Sequence, residues 1–210
     1  MLRQFSPKIA ERLLGHRGRF RLGGERCEVT ILCSDIRGFT SLAKDMEPEG
    51  IVEMLNDYFS GLVPVIFAYD GSVDKYVGDA ILSVFGSPET DPNHHEKALR
   101  AALAMQEKMR DFNAARRAQG KVICNIGIGV HCGEVVHGFI GILERVGFTV
   151  IGDAVNRAAT YCEGANAGEV VISPQLYERV WRIIQEAEPI SLDTKDKEHL
   201  AAYLIKSLKP

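Results

Sequence analysis

The chain switches between two hydrophobic periods, and the switches mark its elements. "CEVTILCSDI" (27–36) is a short apolar, β-branched run and predicts a buried strand ending at Asp35. "EPEGIVEMLNDYFSGLVPVIFAYD" (47–70) sets Ile51, Leu55, Tyr58 with Phe59, Leu62 and Ile66 at helical spacing, with Pro64 expected to bend or break the helix. "VDKYVGDAILSVFG" (73–86) returns to strand. Two runs, Val73–Val77 and Ala80–Phe85, flank Gly78–Asp79, a pair suited to a tight hairpin.

The later chain repeats the alternation. Residues 91–120 predict a long helix closed by Gly120. "VICNIGIGVHCGEVVHGFIG" (122–141) alternates and predicts a second hairpin turning at Cys132–Gly133. "FTVIGDAVNRAATYCEGA" (148–165) reads strand, turn, helix, "GEVVIS" (168–173) a strand, and "SPQLYERV" (173–180) a short helix capped by Ser173 with Pro174 behind it. The tail predicts two short strands around a charged turn. Upstream, Ser6 to Leu14 predicts a short helix, and the Gly- and Arg-rich stretch after it a connector, so residues 1–24 form a lead-in to a domain over 25–207. The order β-α-β-β-α-β predicts an α+β fold with a ferredoxin-like core, extended by C-terminal strands and a helix.

Composition narrows the function classes. The 210 residues are 46% hydrophobic and 25% charged, with a net charge of −3, so nothing suggests a nucleic-acid footprint. No run of about 18 apolar residues suggests a membrane span, and the N-terminus lacks the apolar core of a secretory signal. Cys27, Cys33, Cys124, Cys132 and Cys162 form no CxxC pair, and their odd number suits a reducing compartment. Buried free thiols in a cytoplasmic protein are expected, and no zinc site.

Candidate chemistry lies at two strand ends. In a βαββαβ core the first strand is expected beside the strand that returns after the first helix. That topology brings Asp35 and Asp79 to one edge of the sheet. Two hard carboxylates beside phosphate oxygens suit Mg²⁺ or Mn²⁺. In "DIRGFTSLA", Gly38 follows the strand at once, and the backbone N–H groups of such a turn can hold phosphate.

"VTILCSDIRGFTSLA", "LNDYFSGLVPVIFAYDGSVDKYVGDAILSVFG" and "FTVIGDAVNRAA" together resemble the class III nucleotide cyclase catalytic domain, in order and spacing. The resemblance covers residue 25 to about 207 and is to bacterial-type adenylyl cyclases. It implies conversion of ATP to 3′,5′-cyclic AMP and pyrophosphate, for intracellular signalling, with two Mg²⁺ or Mn²⁺ ions per site. Asp35 and Asp79 match the metal-binding aspartates, and the Ile36 carbonyl would add a ligand. The turn formed by Arg37, Gly38, Phe39 and Thr40 would hold phosphates through its backbone. Lys75 matches the base-recognising lysine, a donor for the acceptor N1 of adenine, where guanine presents a donor. Thr149 matches the second base-recognising position, where many members carry Asp. A guanylyl cyclase would be expected to carry Glu or another guanine-matched residue in place of the lysine. Lysine with threonine resembles the subtype often activated by bicarbonate, and the lead-in would join a regulatory module or help dimerise. Asn156 matches the asparagine that orients ribose or transition state, and Asp153 reads as a helix N-cap. The family implies a head-to-tail homodimer with two composite sites, one chain giving the metal aspartates and its partner Lys75, Thr149 and Asn156.

One position departs from the pattern. Four residues after Asn156 the family usually has a transition-state arginine, and here stands Thr160. A threonine cannot replace a guanidinium's charge. Arg157 stands about 60° round the helix from Thr160. Arg145, Lys195 and Lys197 are the other candidate cations. The alternative is a degenerate domain that binds nucleotide or a partner with little catalysis. A cyclic-dinucleotide synthase or polymerase is opposed by the absence of a Gly-Gly-Asp/Glu-Glu-Phe signature.

Overall fold

The computed structural model describes residues 22–142, 145–193 and 199–209. The expected Ser6–Leu14 helix lies outside them. The described elements run β1 (Gly23–Ile36), α1 (Phe39–Lys44), α2 (Pro48–Ala68), β2 (Ser72–Val77), β3 (Ala80–Phe85), α3 (His94–Ala118), β4 (Ile126–Ile142), β5 (Arg145–Ile151), α4 (Asp153–Glu163), β6 (Val170–Ile172), α5 (Pro174–Val180), β7 (Ile184–Asp193) and β8 (His199–Leu208). The strands form one mixed sheet in the order β2-β3-β1-β4-β6-β8-β7, with β5 paired to β4. The α+β class and the appended C-terminal strands are as expected.

Burial decides the strand order. The residues Ile81–Phe85 of β3 are all buried, so β3 must sit inside the sheet, whereas β2 exposes Lys75, Tyr76 and Val77 and takes the edge. The neighbour of β1 is therefore β3, antiparallel, and not the returning strand β2 as the sequence reading had it. Asp79 still reaches β1, because it stands in the β2–β3 turn. Gly78 in that turn has φ 64°, a conformation that favours glycine.

Two further expectations fail for physical reasons. No hairpin forms at Cys132–Gly133. The strand β4 runs straight through, because β1 offers a continuous partner from Gly23 opposite Phe139 to Ile36 opposite Ile126. The glycines that suggested a turn serve packing. A Cβ on Gly129 would lie 2.0 Å from the Cys162 backbone nitrogen, so glycine there lets α4 lie close on the sheet. Pro64 does not break α2. Pro64 and Ser60, whose carbonyl loses its N–H donor, are both exposed, so water can satisfy that carbonyl.

The two sheet faces are covered unequally. On one, α2 brings Met54, Tyr58, Leu62 and Ile66, a fully buried i, i+4 stripe, and α3 brings Leu99, Ala102 and Met105. They meet Leu32, Ile81, Phe85, Ile128 and Val130. Each such aliphatic side chain contributes roughly 1.5–3 kcal/mol on burial. By length and composition α2 could cross a bilayer, but the fold uses its apolar stripe as core. The other face carries α4, whose Ala154, Ala158 and Cys162 pack on Val29, Ile31, Leu82 and Val150. At the strand ends, Tyr76 and Val77 on β2 and Ile151 on β5 remain 50%, 61% and 55% exposed, the Tyr76 ring lying against Phe59 of α2.

Candidate active site

The C-terminal end of β1 and the β2–β3 turn enclose an open hollow of about 230 Å³. It is lined by Asp35, Ile36, Arg37, Gly38, Phe39, Thr40, Ser41 and Asp79, which gathers every metal and phosphate candidate from the two N-terminal motifs and adds Ser41. The Ile36 N–H donates to Asp79 Oδ2 at 3.0 Å, locking the turn against the strand end. Burial, a hydrogen bond with Asp35 and the Asp35 charge push Asp79 up to about 6. Two carboxylates this close demand either a shared proton or a cation, so the donor set fits a hard divalent metal.

Arg37 does something other than cradle phosphate. Its N–H donates to the Asn125 carbonyl at 2.8 Å. Its Nη2 donates to Asp35 Oδ2 at 2.8 Å, and its Nη1 to the carbonyls of Cys162 and Ala165, both at 3.2 Å. A cation beside those carbonyls suits the negative C-terminal end of α4. Arg37 thus ties that helix to Asp35, a candidate metal ligand, and its backbone and side-chain donors are both engaged. This corrects its expected phosphate-binding part.

The base-recognition candidates meet elsewhere. Asp74 on β2, a residue the sequence reading passed over, has a side chain only 4% exposed. Its Oδ2 accepts from the Thr149 hydroxyl at 3.0 Å and lies 3.2 Å from Lys75 Nζ, while its Oδ1 accepts from the Val150 N–H at 3.2 Å. One carboxylate therefore brings Lys75 and Thr149 together across β2 and β5. A buried acid beside Lys75 in "VDKY" was the available signal. No residue of this cluster lines the hollow.

On α4, Asn156 is exposed, as its expected role requires. Asp153 is not the N-cap. Gly152 takes that place in extended backbone (φ 162°), and Asp153 opens the helix and binds Arg157 at 2.5 Å. The Thr160 hydroxyl donates back to the Asn156 carbonyl at 3.1 Å. Arg145 opens β5, but its side chain, like Lys195 and Lys197, lies outside the described residues.

Comparison with known proteins identifies the family. The family model for the adenylate and guanylate cyclase catalytic domain matches residues 24–207, and the chain belongs to that family. It is 44% identical over 135 residues to an adenylate cyclase of Anabaena cylindrica, covering 62% of this chain and 26% of that protein. It is 38% identical over 141 residues to adenylate cyclase 1 of Rhizobium meliloti, covering 67% and 21%. The chain thus spans about a quarter or less of these relatives' length. Among solved structures, the adenylyl cyclase CyaB from P. aeruginosa superposes with TM-score 0.81 at 29% identity, covering 90% of this chain and 98% of that one. The guanylyl cyclase Cya2 gives the same TM-score at 30% identity, covering 90% and 96%.

Proposed function

We propose that the chain is the catalytic domain of an adenylate cyclase, making 3′,5′-cyclic AMP and pyrophosphate from ATP at the interface of two copies, in the cytoplasm. The observation that carries the choice of base is the direction of the Thr149 hydroxyl. Its proton is given to Asp74, so towards a base its oxygen only accepts. The amino group of adenine donates there, whereas the O6 of guanine would oppose it. Lys75 supplies the donor for adenine N1.

The hollow takes the triphosphate. Asp35, Asp79 and the Ile36 carbonyl would hold divalent cations, two in this reading, which when bound would supply positive charge to the phosphates and acidify the ribose 3′-hydroxyl. The 3′-oxygen attacks the α-phosphorus, its proton passes to solvent, and the bond to the bridging oxygen breaks to release pyrophosphate. Asn156 orients the ribose. The separation of the hollow from the Asp74 cluster supports completion of each site by a second copy, and exposed Tyr76, Val77 and Ile151 offer apolar surface for that contact.

Thr160 favours a second reading, nucleotide binding with little turnover, because its hydroxyl is spent on its own helix and supplies no charge. The deciding experiment incubates the chain with ATP or GTP and Mg²⁺ or Mn²⁺ beside an Asp79→Ala control. Cyclic AMP from ATP, absent in the control, is expected. Binding without product, at concentrations where a dimer is demonstrated, would select the second reading.

A further inference from the structure

On the helical face, well away from the hollow, three chemically different ligand groups converge. Glu28 on β1, His95 in the first turn of α3 and Cys132 on β4 place a carboxylate oxygen, an imidazole nitrogen and a sulfur within 4.8 Å of one another. Glu28 precedes Asp35 on β1 by roughly 23 Å, at about 3.3 Å per residue. The cluster and the hollow are therefore separate places.

The geometry points to a transition-metal site, and we propose that Glu28, His95 and Cys132 bind one Zn²⁺ ion with solvent in the fourth position. Thiolate with imidazole selects zinc over the hard ions of the hollow. Neighbouring side chains hold His95 and Glu28, while burial and the Glu28 charge push the Cys132 thiol up to about 11, so that the ion would displace its proton on binding. His95 Nδ1 lies 2.8 Å from the Thr30 hydroxyl, and Thr30 pairs directly with Cys132 across β1 and β4. The Thr30 hydroxyl is shared with His94 Nδ1, 2.9 Å away; when it gives its proton to His94 it accepts Nδ1–H from His95, which leaves the lone pair of His95 Nε2 facing Glu28 Oε1 at 3.6 Å. An imidazole whose far nitrogen is hydrogen-bonded is the usual arrangement in zinc sites. Arg179 Nη2 lies 3.2 Å from the same Glu28 oxygen and fixes the carboxylate in place. Glu28 is 46% exposed and gives an entry path, while Cys132 is buried. Contraction of the triangle by about 1 Å, through side-chain rotation, reaches tetrahedral spacing. The bound ion would pin the start of α3 to β1 and β4. Sequence spacing could not announce it, because each ligand comes from a different element.

The test uses Co²⁺ as a coloured substitute, added to the full chain carrying Asp79→Asn so that the hollow is disabled. One equivalent should produce a near-ultraviolet thiolate-to-cobalt absorption band, and Zn²⁺ should bleach it. Cys132→Ser and His95→Gln should abolish the band. Glu28→Gln, at a half-exposed position that leaves the fold intact, should weaken Zn²⁺ binding at least tenfold, and Thr30→Val by about 10- to 100-fold. Cys27→Ser should keep the band. Absence of the band in the parent chain, its survival in Cys132→Ser, its loss in Cys27→Ser, or unchanged affinity in Glu28→Gln would each overturn the site.

Discussion

The hollow and the Asp74 cluster are built on opposite principles. The hollow crowds two carboxylates against a single guanidinium, that of Arg37 on Asp35, so Asp79 is left to a shared proton or a further cation. The Asp74 cluster buries one carboxylate and answers it completely, with a hydroxyl, an N–H and an ammonium. The first is frustrated until loaded, whereas the second is finished in advance. Reactivity requires the former and base selection the latter, since a reader of hydrogen-bond polarity works only if its own protons are already fixed.

Substitutions can break that contrast in order of severity. Asp79→Ala should lower cyclic AMP formation by about 10³-fold or more while leaving the Asp74 cluster intact, measured as kcat with the nucleotide Kd as control. Asp74→Ala should act on choice rather than speed. With the Thr149 hydroxyl free to turn, the ratio of kcat/KM for ATP over GTP should fall by about 10- to 100-fold, and the orphaned Val150 N–H should cost about 1–3 kcal/mol in a denaturant melt. An unchanged ratio would remove Asp74 from base selection.

A pH comparison sharpens the same contrast. Asp79 is raised above its usual value, so the fold favours its protonated form. Its contribution to stability is full below about pH 4 and is lost as pH rises through about 6. A bound cation replaces that proton. The rise in Tm on adding Mg²⁺ should therefore be larger near pH 7.5 than near pH 5, and absent in Asp79→Asn. The smallest effect is expected at Thr160→Arg, where stability should stay within about 0.5 kcal/mol. Turnover of that variant should rise if the missing guanidinium limits the rate.

Legibility followed locality. The Gly78–Asp79 turn and the Ser173 cap that accepts from the Leu176 N–H depend on adjacent residues and could be read directly. The path of β4 could not, because Cys132–Gly133 looks like a turn until the continuous partner that β1 offers is known. Nor could the place of β3 be read from element order alone. It needed the comparison of buried β3 with half-exposed β2. Asp74 escaped because its importance lies in partners on β5, and Arg37 because its partners are carbonyls at the far end of α4. The cation that would answer for Thr160 is sought at Arg145, Lys195 or Lys197, whose side chains lie outside the described residues.

The Arg37 clamp has a mechanical consequence. In the proposed dimer, Asp35 serves one composite site while Asn156, on α4, serves the other. The same guanidinium grips both Asp35 and the end of that helix. Any tilt of α4 on filling one site of that dimer would pull, through Arg37, on the Asp35 carboxylate of the other. Arg37 would then be the fulcrum of a lever, and filling one site would alter the affinity of the other by a reciprocal coupling energy.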